Sequence, residues 1–197
     1  MIQNYNGAIL ADAVGLGKTW SALAVIKYFQ LQGYENIVLC PKKLQNNWQQ
    51  YLKKRGSLFE EDNFDYIVRF HTDLYEDRLE KDGLTITDYF QNDKPKLLII
   101  DESHNFRNSK SNRYRFLVET LLKKNQNIKL LLLSATPINN SLLDIRNQFK
   151  LIVKDDDNGF YETFGIRSIE GVFKRAQMVF KEWVDSDNKH IRDFINK

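Results

Sequence analysis

Residues 8–29 constrain the fold more than any other stretch, because an apolar run, a small-residue turn and an amphipathic period follow one another directly. Ala8, Ile9 and Leu10 read as a buried strand, and Ala22 to Phe29 as a helix. Between them lies Ala11-Asp12-Ala13-Val14-Gly15-Leu16-Gly17-Lys18-Thr19. Gly15 and Gly17 permit a backbone that wraps an anion with its N–H groups turned inward. A helix opening near Lys18 adds the positive end of its dipole. In that geometry Gly15, Leu16, Gly17, Lys18 and Thr19 cradle the phosphates of a nucleotide. Lys18 reaches the β- and γ-phosphates, and the Thr19 hydroxyl ligates magnesium. The general phosphate-loop pattern has a glycine five residues before Gly17, where this chain has Asp12. A plain glycine turn joining strand to helix therefore stays open on this stretch alone.

The same alternation continues downstream. Asn36 to Cys40 reads as a second strand stopped by Pro41, and Leu44, Trp48, Tyr51 and Leu52 recur at helical spacing. Residues 56–64 read as a loop, Tyr66 to Phe70 as a third strand, and the polar stretch 72–94 gives no clear element. Leu97-Leu98-Ile99-Ile100 is apolar on both faces, as central parallel strands are. A helix over Asn112 to Lys124, a strand over Leu130 to Leu133 and a helix through Leu142, Leu143, Ile145 and Phe149 complete the pattern. It predicts an α/β fold: a mostly parallel central sheet with helices on both faces. A chain of 197 residues with 42% hydrophobic content has room for the core of one such domain. Lys154 to Gly159 reads as a turn or short linker. Beyond it Ile169, Val172, Phe173, Ala176, Val179, Phe180 and Trp183 hold a helical stripe, expected to pack on the domain, with a surface for a neighbour as second choice.

Composition excludes more than it selects. A net charge of +3 does not by itself argue for nucleic acid. Lys42, Lys43, Lys53, Lys54 and Arg55 cluster, but Glu60, Glu61, Asp62 and Asp65 follow at once, as on an ordinary solvated surface. The single Cys40 excludes an internal disulfide, and the three histidines show no metal-ligand spacing. The N-terminus has no signal-peptide pattern, and no apolar run approaches the ~18 residues that span a bilayer. The expectation is a soluble, cytoplasmic protein with no membrane partner.

Two further stretches carry chemistry. Asp101-Glu102-Ser103-His104 follows the apolar run 97–100 directly, where α/β sheets bind ligands. Asp101 is placed to hold magnesium across from Thr19, and Glu102 to polarise the attacking water as a general base. The alternative is an exposed acidic turn. Ser134-Ala135-Thr136-Pro137 leaves the next strand in the same way, and its small hydroxyls suit hydrogen bonds to the acidic loop, His104 included.

Taken together, these residues resemble the first RecA-like lobe of superfamily-two DNA helicases and translocases, most closely the SWI/SNF-type branch in its bacterial, DEAD/DEAH-box-like forms. The matching stretches are Leu10 to Thr19 (motif I), Val38-Leu39-Cys40-Pro41-Lys42-Lys43-Leu44 with Trp48 (motif Ia), Ile99 to Asn108 (motif II) and Leu132 to Asn140 (motif III). Aspartate is usual in that branch where Asp12 stands. The resemblance implies a three-layer P-loop NTPase lobe over 1–153, with 154–197 as a helical extension of the same lobe. It implies ATP and magnesium as ligands, catalysis by Lys18, Asp101 and Glu102, and coupling through His104, Ser134 and Thr136. DNA, duplex and read without sequence preference, would touch Lys42 and Lys43, with Asn139 and Asn140 as weaker contacts. The family also uses a second RecA-like lobe carrying an arginine finger, and nothing after Asn140 repeats a strand-rich pattern of the needed length. The isolated chain is thus expected to bind ATP and hydrolyse it feebly, since loss of such a finger costs ~10³–10⁵ in rate. A restriction-system or RNA-acting helicase lobe, a non-catalytic ATP-binding module and an oligomeric AAA+-type ATPase are the other readings.

Overall fold

The computed structural model describes residues 2–56, 58–76, 83–138 and 142–185. After a short helix α1 (Ile2–Tyr5), strand β1 (Gly7–Leu10) runs into the glycine turn and helix α2 (Lys18–Gln30). Strand β2 (Glu35–Cys40), helix α3 (Gln45–Gln49), strand β3 (Ile67–Phe70) and the single turn α4 (Asp73–Glu76) follow. Then come β4 (Lys96–Ile100), α5 (Asn112–Phe116), β5 (Ile128–Leu133), α6 (Leu142–Ile152), α7 (Tyr161–Phe164) and α8 (Ile169–Asp185).

The five strands form one sheet in the order β1-β5-β4-β2-β3, and every pairing is parallel. Strand periodicity explains the layers. Ile37, Leu39, Leu98, Ile100, Leu130 and Leu132 face one core, which Leu117, Val118, Leu121 and Leu122 after α5, and Leu151 and Ile152 of α6, cover. Their neighbours Val38, Cys40, Leu97, Ile99, Leu131 and Leu133 face the other core, covered by Ala22, Leu23, Ile26 and Phe29 of α2 and by Trp48 of α3. Burial on both faces is why β4 reads as an unbroken apolar run.

Register aligns the strand ends. Leu10 pairs with Leu133, Ile100 with Leu132, and Leu39 with Ile100. The loops leaving β1, β4, β5 and β2 therefore emerge along one edge of the sheet. At the distal edge β3 carries a buried ion pair, Arg69 Nε to Asp73 Oδ2 at 3.2 Å.

Three elements differ from the sequence expectation. The helix over residues 44–52 is cut to a 3₁₀ turn (Lys42–Leu44) plus the five residues of α3, and Leu52 instead bridges Phe64. The helix from Asn112 widens into a π-helical turn over Leu117–Leu122, which Lys123 N closes onto Val118 O at 2.9 Å. That wider turn buries Leu117, Val118, Leu121 and Leu122 together. The stripe on α8 is only partly covered: Ile169 is buried and Phe173 lies 5.8 Å from Phe149 of α6, whereas Val172 and Phe180 are exposed, as are Met178 and Val184 beside the stripe. No described helix is long and apolar enough to cross a membrane.

Candidate functional site

The glycine turn adopts the backbone the sequence required. Gly15 and Gly17 have φ of 84° and 79°, the left-handed region that a Cβ disfavours. Gly17 is the N-cap of α2 and no side chain caps the helix, so its first-turn amides lack intrahelical acceptors. The Lys18 ammonium folds back over the turn and donates to the carbonyls of Asp12 (2.7 Å) and Ala13 (3.0 Å). A cation held across uncapped helix amides is the donor set that a polyphosphate requires.

Asp101 leaves β4 at the same edge, its amide bonded to Leu39 O at 2.9 Å. Its carboxylate is half-buried and accepts the Trp48 indole N–H at 2.9 Å and the Glu102 amide at 2.9 Å. Burial raises its pKa above the ordinary carboxylate value, and the neighbouring Glu102 charge adds to this; the two hydrogen bonds and the Lys18 ammonium act the other way. Lys18 and Asp101, from strands two places apart in the sheet, thus lie within electrostatic reach of one another. A carboxylate whose own charge is disfavoured by burial gains from a nearby cation, so the residues fit a divalent metal at this edge.

Glu102 sits at φ 52° and ψ 48°, a left-handed conformation costing ~1–2 kcal/mol for a residue with a Cβ. Its carboxylate lies 3.2 Å from His104 Nδ1, which is also 3.3 Å from Ser134 Oγ. Thr136 joins through its backbone, donating its N–H to Ser134 Oγ at 3.2 Å. The structure therefore joins Glu102, His104 and Ser134 side chain to side chain, attaches Thr136 by its backbone rather than its hydroxyl, and sets the Lys18 charge against Asp101.

The lysines after β2 reach the same edge. A cavity of about 320 Å³ has Lys42, Lys43, His71, Glu102, His104 and Arg113 among its lining residues. Lys42 Nζ stands 5.9 Å from the Phe70 ring, and Arg113 stacks on Tyr75 at 5.0 Å. Burial, reinforced by the Arg113 charge, pushes the pKa of His71 down to about 4, so its imidazole is neutral at pH 7. Asn139 and Asn140 lie outside the described residues.

Sequence reasoning missed three contributors. Trp48 was part of a motif without a role, yet it holds Asp101. Gln148, fully buried on α6, accepts the Ser103 hydroxyl at 2.7 Å and donates to Pro137 O at 2.9 Å, tying the loop after β4 to the loop after β5. The signal available was a polar residue beside Phe149 on the apolar stripe of α6. Arg113, on α5 and outside the four motifs, lines the cavity.

Comparison with known proteins agrees with this architecture. The family model described as SNF2-related domain matches residues 1–165. The uncharacterized ATP-dependent helicase YqhH of Bacillus subtilis is 30% identical over 213 residues, covering 100% of this chain and 33% of its own. The human DNA repair and recombination protein RAD54B is 30% identical over 162 residues, covering 74% of this chain and 17% of its own. The chain thus spans about a third or less of these relatives. Among solved structures, the Sulfolobus solfataricus SWI2/SNF2 ATPase core in complex with dsDNA superposes with a TM-score of 0.58 at 23% identity, over 89% of this chain and 37% of that one, a likeness of fold. With parallel order, phosphate loop and acidic strand end in their expected places, the chain belongs to the SNF2-related domain family.

Proposed function

We propose that the chain is the ATP-binding lobe of an ATP-driven DNA translocase or helicase, completed by a second lobe that supplies an arginine finger. The observation that carries this reading is the convergence of Lys18 and Asp101, from β1 and β4, on one edge of a parallel sheet. In this reading the amides of residues 15–19 and the Lys18 ammonium bind the triphosphate, and Thr19 and Asp101 hold magnesium, which supplies charge neutralisation when bound. Glu102 accepts the proton of the attacking water, and the short path Glu102–His104–Ser134 links that event to the loop after β5. In this reading residues 1–153 form the nucleotide lobe, and 154–197 belong to it as an extension that is helical over the described α7 and α8.

Lys42 and Lys43 are proposed to contact backbone phosphates of duplex DNA, which supplies charge recognition without sequence readout. Their position beside Glu102 and His104 supports a route from nucleotide to nucleic acid. The experiment is steady-state ATP hydrolysis by the complete two-lobe protein with double-stranded DNA, single-stranded DNA or RNA. Stimulation chiefly by duplex DNA is expected, and stimulation by RNA alone overturns the DNA reading.

A further inference from the structure

We propose that Trp20 is the surface on which the nucleotide's base stacks, with Tyr51 and Phe59 as its support. This rests on the reading of Gly15 to Thr19 as the triphosphate cradle. Side chains on a helix lean towards its N-terminus, so a residue three positions after the N-cap covers the turn before it. Trp20 does so: its Cδ1 lies 3.9 Å from where a Cβ on Gly17 would stand. The indole therefore borders the loop that would hold the phosphates, and a base follows its phosphates by one ribose.

Trp20 is 54% exposed, although tryptophan is among the side chains most costly to leave in water. The ring is nevertheless fixed. Its centroid lies 5.1 Å from that of Tyr51 at an interplanar angle of 64°, and 5.9 Å from that of Phe59 at 54°. Tyr51 and Phe59 meet each other at 5.0 Å and 65°, closing a triangle of rings. These steep contacts brace the indole without stacking on it. A rigid, half-open aromatic face beside a phosphate-binding turn suits a flat heterocycle, because every base has a π-face and little side-chain entropy remains to be lost. Recognition by stacking would serve a purine nucleoside triphosphate, with the phosphates fixing the position and the indole holding the base.

The test compares MgATP with magnesium tripolyphosphate, which carries the phosphates without a base, by calorimetry on the 197-residue chain. In Trp20→Ala, ATP affinity should fall roughly tenfold, within the range that base–aromatic stacking supplies, while tripolyphosphate affinity stays within about twofold. Trp20→Phe should recover most of the ATP affinity. Preserved tripolyphosphate binding also shows that the variant is folded. Unchanged ATP affinity in Trp20→Ala, or equal loss of both ligands, overturns the proposal. A different failure marks the underlying reading: if the parent chain binds neither ligand and Lys18→Ala changes nothing, the cradle itself is wrong and the stacking surface falls with it.

Discussion

Trp48→Phe isolates the hydrogen bond that favours the charged form of the Asp101 carboxylate, the proposed magnesium ligand. Trp48 is buried and packs edge-on against Tyr66 at 6.1 Å, while its indole N–H reaches Asp101 Oδ2 at 2.9 Å. Phenylalanine keeps an aromatic ring there and deletes the donor. Two costs follow, and pH separates them. The smaller ring leaves a packing defect that does not depend on pH. The lost bond does depend on pH: a bond to a charged acceptor is worth ~1.5–3 kcal/mol and a neutral one ~0.5–1.5 kcal/mol, so about 1 kcal/mol appears only when Asp101 is ionised. The sign follows from linkage. Asp101 already has a raised pKa from burial, and the Trp48 donor opposes that shift. Without it the folded-state pKa rises further, so the folded variant binds a proton more readily than the unfolded chain does. Relative to the parent, its stability is then lost as pH rises from the parent's folded-state pKa to the higher one of the variant, both above the ordinary carboxylate value of ~3.9. Urea unfolding of parent and variant at pH 7 and at about pH 3.5 measures this. The destabilisation should be about 1 kcal/mol larger at pH 7, with slopes unchanged. Equal losses at both pH values would refute the argument that this bond stabilises the charge.

Three further expectations concern the same edge. Glu102→Gln in the two-lobe protein should retain ATP affinity while turnover falls ~10²–10⁴-fold, and unchanged turnover in a steady-state assay removes Glu102 from the proton transfer. Lys42→Ala should weaken DNA binding and reduce the log–log salt slope by about 1 without altering ATP affinity; an unchanged slope in a salt titration means Lys42 touches no phosphate. Gln148→Leu should cost about 2 kcal/mol by stranding the buried Ser103 hydroxyl, a fall in Tm of ~4–8 °C by calorimetry, and a Tm within 1 °C (about 0.3 kcal/mol) of the parent denies the tie any weight.

The strands were legible because each is a short apolar run with a clear stop, and burial on both faces made β4 the plainest. Periodicity failed where local geometry intervened. After Pro41 the backbone takes a 3₁₀ turn before α3, and the π-helical turn at Leu117–Leu122 preserves the apolar content while changing the hydrogen-bond step. The stripe of α8 showed amphipathicity correctly, but amphipathicity cannot tell a covered face from an open one. In the site the split is similar. Asp101 adjoins the end of β4 and Lys18 opens the helix after the glycine turn that follows β1, so parallel pairing and that turn carry both to one edge. Trp48 and Gln148 meet partners 53 and 45 residues away, Asp101 and Ser103, and no local pattern specifies which buried group a side chain will find.

That distant pairing explains how Glu102 keeps an unfavourable backbone. A left-handed residue between a strand and a 3₁₀ turn relaxes unless its neighbours are fixed. Here Glu102 N is held by Asp101 Oδ1, and Glu102 O accepts from Asn105 N and Asn105 Nδ2, each at 3.0 Å. Ser103, which opens the 3₁₀ turn Ser103–Phe106, is anchored by Gln148, and beyond the turn the Arg107 carbonyl accepts from the adjacent Asn147. Both anchors come from α6, whose Asn147 and Gln148 are buried polar residues amid an apolar layer. Such burial is unfavourable without partners and is retained here because the partners are the backbone and hydroxyl of the acidic loop. Since Gln148 also binds Pro137 O, a movement of Glu102 large enough to relax its backbone must break bonds that position the loop after β5. The general-base candidate and that loop are therefore constrained as one unit, by a helix with no charged residue among its anchors.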